Sequence, residues 1–190
     1  MKKYFFMAVM FQLAILIAQP VAASDNEAPS LLENPYKDEV EEKARALQES
    51  LSEEEIERMG QLRNAFGVVR SIRHVRKSVS DAVDLCAKEN PSLSKDIKAG
   101  FRDWDQDIRK NLNQHEKHLK NSVHRRYFDD PRAVQAYLDT LDKAAAHAEN
   151  SVERVPVTTE EACQGLMASM DNTKEAIGQA LGSLSWPASQ

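Results

Sequence analysis

Between Ser52 and Leu184 the chain alternates long stretches of helical periodicity with short polar breaks. In the first stretch apolar residues fall at Ile56, Met59, Leu62, Phe66, Val69, Ile72, Val75, Val79, Val83 and Cys86. Steps of three or four place them on one helical face. Ser52-Glu53-Glu54-Glu55 opens this helix as a capping box, with Leu51 and Ile56 positioned as a hydrophobic staple, and Asn90-Pro91 ends it. Gly60 and Gly67 each weaken it by up to about 1 kcal/mol and mark a bend or a close contact.

A second stripe, Ile97, Phe101, Trp104, Ile108, Leu112, His115, Leu119 and Val123, predicts a helix from about Leu93 to Tyr127. Its mean step of about 3.7 residues suits a straight helix rather than a supercoiled one. Asp130-Pro131 caps and starts a third helix, carried by Val134, Leu138, Leu141, Ala145, Ala148 and Val152. Pro156 ends it and leaves Val155-Pro156-Val157 extended. Thr158-Thr159-Glu160-Glu161 offers a second capping box for a fourth helix, with a stripe of Cys163, Leu166, Met170, Ile177, Leu181 and Leu184. Upstream, Asn34-Pro35 starts a short leading helix whose thin stripe (Tyr36, Val40, Ala44, Leu47) lays it on the rest without building it.

Short connections make successive helices antiparallel neighbours. The predicted fold is therefore all-α: an antiparallel up-down-up-down four-helix bundle with an additional short N-terminal helix. Cys86 lies near the end of the first bundle helix and Cys163 near the start of the last. Both fall at one pole, which predicts a Cys86–Cys163 disulfide between those helices. The second bundle helix outruns the third by about ten residues, roughly 15 Å, so the connector around Arg154–Thr158 must climb to bring the cysteines together.

The N-terminus sets the compartment. Lys2 and Lys3, an apolar run from Tyr4 to Ala18, and Val21-Ala22-Ala23 after Pro20 have the three parts of a secretory signal. The expected organisation is a signal peptide over 1–23, a mobile polar arm over 24–34 and a single helical domain over 35–190. A periplasmic or secreted location follows, and an oxidising compartment favours pairing of the only two cysteines.

Charge adds the main functional hint. The chain carries a formal net charge of −5, a poor match to nucleic acid. Yet from Arg58 to Ser80 there is no acidic residue, and Arg63, Arg70, Arg73, His74, Arg76 and Lys77 fall in that run. On the next helix Arg109, Lys110, Lys117, Lys120, Arg125 and Arg126 accompany a single acid, Glu116, between Ile108 and Tyr127. Antiparallel packing sets these stretches side by side as a basic zone for an anionic envelope component or protein partner, with peripheral contact to a membrane surface. The opposing reading is that the protein neutralises the zone itself, with the acidic segment Lys37–Glu57 folded over it.

No C-x-x-C-H, G-x-S-x-G, H-E-x-x-H or phosphate-binding glycine loop occurs. The expectation is thus a non-enzymatic binding or accessory protein of the envelope, without a cofactor. The alternative is a metal or haem carrier built on His115 and His118 with Met167 and Met170, because bundle cores host such sites and thioethers suit soft metals.

Overall fold

A computed structural model of the chain describes residues 34–124 and 126–187. The predicted signal peptide, the arm up to residue 33, and Arg125 lie outside the described residues. The described residues form five helices: α1 (Lys37–Ser50), α2 (Glu53–Glu89), α3 (Ser94–Ser122), α4 (Pro131–Ser151) and α5 (Glu160–Gly182). None of these is long and apolar enough to cross a membrane.

The helix starts follow local side-chain chemistry. At α2, Ser52 Oγ accepts from the Glu55 amide at 3.3 Å while Glu55 Oε2 accepts from the Ser52 amide at 2.9 Å, a reciprocal box as expected. Asp130 accepts from the Arg132 and Ala133 amides ahead of α4. At α5 the cap is Thr159, one residue later than the predicted box, and it accepts from the Ala162 amide. Alanine at that third helical position has no side chain to return the bond. At α1, Asn34 Oδ1 accepts from the Tyr36 amide, and Asn34 Nδ2 donates to the Ala144 carbonyl at 2.7 Å, fastening the helix start to α4.

Two apolar cores form, and α2 runs through both. The larger joins Val69, Ile72, Val83, Cys86 and Ala87 of α2 to Ile97, Trp104, Ile108 and Leu112 of α3 and to Cys163, Met170, Ile177 and Leu181 of α5. The smaller joins Leu47 of α1, Met59 and Leu62 of α2, Phe128 in the α3–α4 connector, and Val134, Tyr137 and Leu138 of α4. The main pairings are thus α2 with α3, α3 with α5, and α1 with α4. This differs from the neighbour order of an up-down-up-down bundle, where α4 would sit between α3 and α5.

Three features explain the difference. The large side chains of α4 sit in its first half, whereas Ala144, Ala145, Ala146 and Ala148 give its second half little to insert into a core. The leading helix contributes more than its thin stripe promised, since Leu47 is buried and Thr140 of α4 docks on it. The Thr140 hydroxyl, fully buried, accepts from Lys43 at 2.9 Å and lies 3.1 Å from Glu39, whose own carboxylate pairs with Lys43. Finally, α3 stops at Ser122 rather than continuing to Tyr127. The chain turns there, with the Tyr127 and Phe128 amides donating to the His124 carbonyl, and the turn drops the Phe128 ring into the smaller core.

The disulfide is present: Cys86 and Cys163 are joined, with Cα atoms 5.8 Å apart and both residues fully buried. The connector from Val152 to Thr158 runs to it without regular secondary structure. Val157 packs against the larger core, and Asn90 Nδ2 donates to the Thr158 carbonyl at 2.9 Å beside the sulfurs.

Candidate functional site

The basic zone separates into two populations. One, the inner population, is consumed by ion pairs, and its members range from the nearly buried Arg70 to the largely exposed Lys77. Arg70, with a side chain only 12 % exposed, reaches from α2 to α4, where it bonds Asp142 at 2.8 Å and clasps Glu149 with both terminal nitrogens. His74 Nδ1 lies 3.0 Å from the same Glu149 carboxylate. Burial works against the charged guanidinium, but the Glu149 bond outweighs it and raises the Arg70 pKa, and Arg70 in turn lowers that of Glu149. Between α2 and α3, Arg73 meets Glu116 at 3.0 Å and Arg76 meets the buried Asp105 at 2.5 Å. Arg109, one turn along α3, closes on the other oxygen of Asp105. Burial is the largest influence on Asp105 and opposes its ionisation; the bonds to Arg109 and Arg76 together overcome it and hold the pKa below the usual value. Lys77 pairs with Asp81 on its own helix.

The acids that answer the inner group therefore come from α3 and α4, with one from α2 itself. The acidic leading segment lies elsewhere: α1 is packed on α4, and Glu55 is committed to the Ser52 box and to the Asp129 amide at 2.7 Å.

The outer population has no ion pair among the described residues: Arg63, Lys110, Lys117, Lys120 and Arg126. At 100° per residue, Lys110 and Lys117 project from the α3 face opposite Ile108 and Leu112, and both are exposed. Across the end of α3, His118, Lys120, Asn121, Val123, His124, Arg126 and Tyr127 line a groove of about 660 Å³. The Arg126 guanidinium carbon stands 6.0 Å from the Tyr127 ring centre. Among the described residues, no carboxylate lines this groove. Arg63 stands apart, on the first half of α2.

The histidines and methionines of the carrier reading are not brought together. Met170 approaches α3 at Gly100, fifteen positions before His115, or about 22 Å along the helix, and Met167 packs on the same larger core. His115 and His118 instead face Trp186, at ring-centre separations of 5.7 and 5.5 Å, with the His115 ring stacked on the indole. His115 Nδ1 is buried without a hydrogen-bond partner, and burial followed by the nearby His118 lowers the His115 pKa. No cluster of three or more His, Cys, Asp or Glu side chains able to hold a metal occurs among the described residues.

Sequence reasoning missed three of these arrangements: the Glu55 tie to the connector, the burial of Phe128, and Trp186 as the cover over the histidine pair. The aromatic ring just before Asp129-Asp130-Pro131 was the available signal for the second. No protein-family model matches the chain, and neither a curated protein nor a solved structure is similar to it.

Proposed function

We propose that this is an exported, non-enzymatic binding protein that engages an anionic component of the cell envelope through the outer basic residues of α3 and the connector after it. The observation that supports this reading is the division of the basic zone. Six of its twelve predicted members (Arg70, Arg73, His74, Arg76, Lys77 and Arg109) are spent on acids of the same chain, whereas Lys110, Lys117, Lys120 and Arg126 stand exposed with no ion pair among the described residues. Four exposed cations along the second half of α3 and the turn after it, in a net-acidic protein, set up a local field that an anionic surface answers. Each basic residue brought near such a surface contributes about 1 kcal/mol.

Sedimentation of the mature protein with vesicles tests this. Binding is expected to vesicles rich in phosphatidylglycerol and not to phosphatidylcholine alone, and to fall as salt rises from 50 to 300 mM because screening shortens the reach of exposed charges. Replacing Lys110, Lys117, Lys120 and Arg126 by glutamine is expected to abolish it. Equal binding to neutral and anionic vesicles, or no binding to either, would overturn the reading.

A further inference from the structure

A second site shares no lining residue with the groove at the end of α3. Where α1 turns into α2, a cleft of about 260 Å³ opens, lined chiefly by Leu47, Leu51, Ile56, Met59, Gly60 and Arg63. Most of this wall is apolar. Ile56 sits at the fourth helical position, where a staple residue would be covered, yet its side chain is 45 % exposed and borders the cleft. A Cβ at Gly60 would meet nothing within 4 Å, so the missing side chain leaves open space rather than accommodating a neighbour. Among the described residues, the one charged residue in the lining is Arg63, and it has no ion pair there. Arg63 also borders the adjoining cleft along α2 beside Asn64, Gly67 and Ser71, so its guanidinium is reachable from the open side.

We infer that this cleft binds a single-chain amphipathic anion of the fatty-acid class, its aliphatic chain against Leu51, Ile56 and Met59 and its carboxylate on Arg63. The apolar wall alone would accept any small hydrophobic molecule. The unpaired guanidinium selects among them, because its planar fork matches a carboxylate with two parallel bonds. Size agrees: the volume lies just under the roughly 300 Å³ at which pockets for drug-sized ligands begin, which suits one short chain. A solvated arginine beside a packing gap is the bland alternative, and it makes a different prediction for the experiment below.

Titration calorimetry of the mature protein with decanoate and with decanol, below the micelle concentration, decides between them, with amide NMR shifts to locate the contact. One-to-one decanoate binding is expected, shifting the Gly60 and Ile56 amides. Arg63→Gln is expected to weaken decanoate about tenfold or more, since a charge-assisted bond contributes about 1.5–3 kcal/mol, and to leave decanol unchanged. Gly60→Leu fills the opening while raising helix propensity, so it folds and is expected to abolish binding of both. The fourfold glutamine variant of α3 is expected to keep full decanoate affinity, which separates this site from the anionic-surface reading. Absence of saturable decanoate binding, decanol binding as tight as decanoate, or undiminished affinity in the folded Gly60→Leu protein would each overturn the inference.

Discussion

Glu55 shows how one side chain can tie two distant pieces of backbone. It is buried, with one oxygen on the Ser52 amide at the start of α2 and the other on the Asp129 amide before α4. The Ser52 bond is the largest influence on its pKa, which lies below the ordinary value despite burial. Glu55→Ala orphans two amides, and a loss of about 2 kcal/mol in chemical denaturation is expected. Because the folded pKa is lowered, the carboxylate stabilises the fold above its unfolded pKa near 4.5, and that contribution drains away as pH falls through the folded value. His115 shares that sign from a different cause. Burial lowers its pKa, so as pH falls through the ordinary value of 6.5 the unfolded chain takes up the proton first and stability falls. The Tm advantage of His115→Leu over the parent is therefore expected to grow between pH 7.5 and pH 5. Parallel curves would contradict an uncharged, desolvated ring. His115 was legible from its place in the apolar stripe; its stacking on Trp186 was not, because Trp186 lies beyond any periodic stretch.

At the scale of helices, the elements follow from periodicity and caps, and their partners do not. Stripe spacing names a buried face but carries no address for it, so the partner of α4 was not legible. The pairing rests on features weaker than a stripe: the Thr140 hydroxyl held by the Glu39–Lys43 pair, Asn34 on the Ala144 carbonyl, and Arg70 reaching across from α2. The disulfide was legible because it needs only two cysteines and two helix ends. It closes a separation of 77 residues, for which loop-closure entropy gives roughly 4 kcal/mol. The Cys86→Ala/Cys163→Ala protein is expected to lose about that much in urea denaturation, and an unchanged midpoint would contradict a structural bond. Asp105 joins α2 to α3 in a comparable way, anchored by Arg76 and Arg109. Asp105→Asn is expected to cost about 2 kcal/mol, below the 3–5 of a fully buried pair, because Arg109 is half solvated.

Over the whole molecule, the basic side chains of the zone divide by whether they meet a carboxylate of the same chain. A linear sequence shows where arginines and lysines cluster, but which of them meet a carboxylate depends on the packing of α3 and α4, so the basic zone was legible and its division was not. Arg70, Arg73 and Arg76 reach between helices and clamp the fold, while the cations on the outer face of α3 and around the groove at its end are left to solvent. The two groups therefore separate stability from binding. The decisive measurement compares two variants side by side, Arg70→Gln for the inner group and Lys110/Lys117/Lys120/Arg126→Gln for the outer, each by Tm and by sedimentation with phosphatidylglycerol vesicles. The inner variant is predicted to melt several degrees lower and, when folded, to bind as the parent does, while the outer variant keeps the parental Tm and loses binding. An outer variant that binds undiminished, or an inner one that loses binding at full stability, would contradict the division.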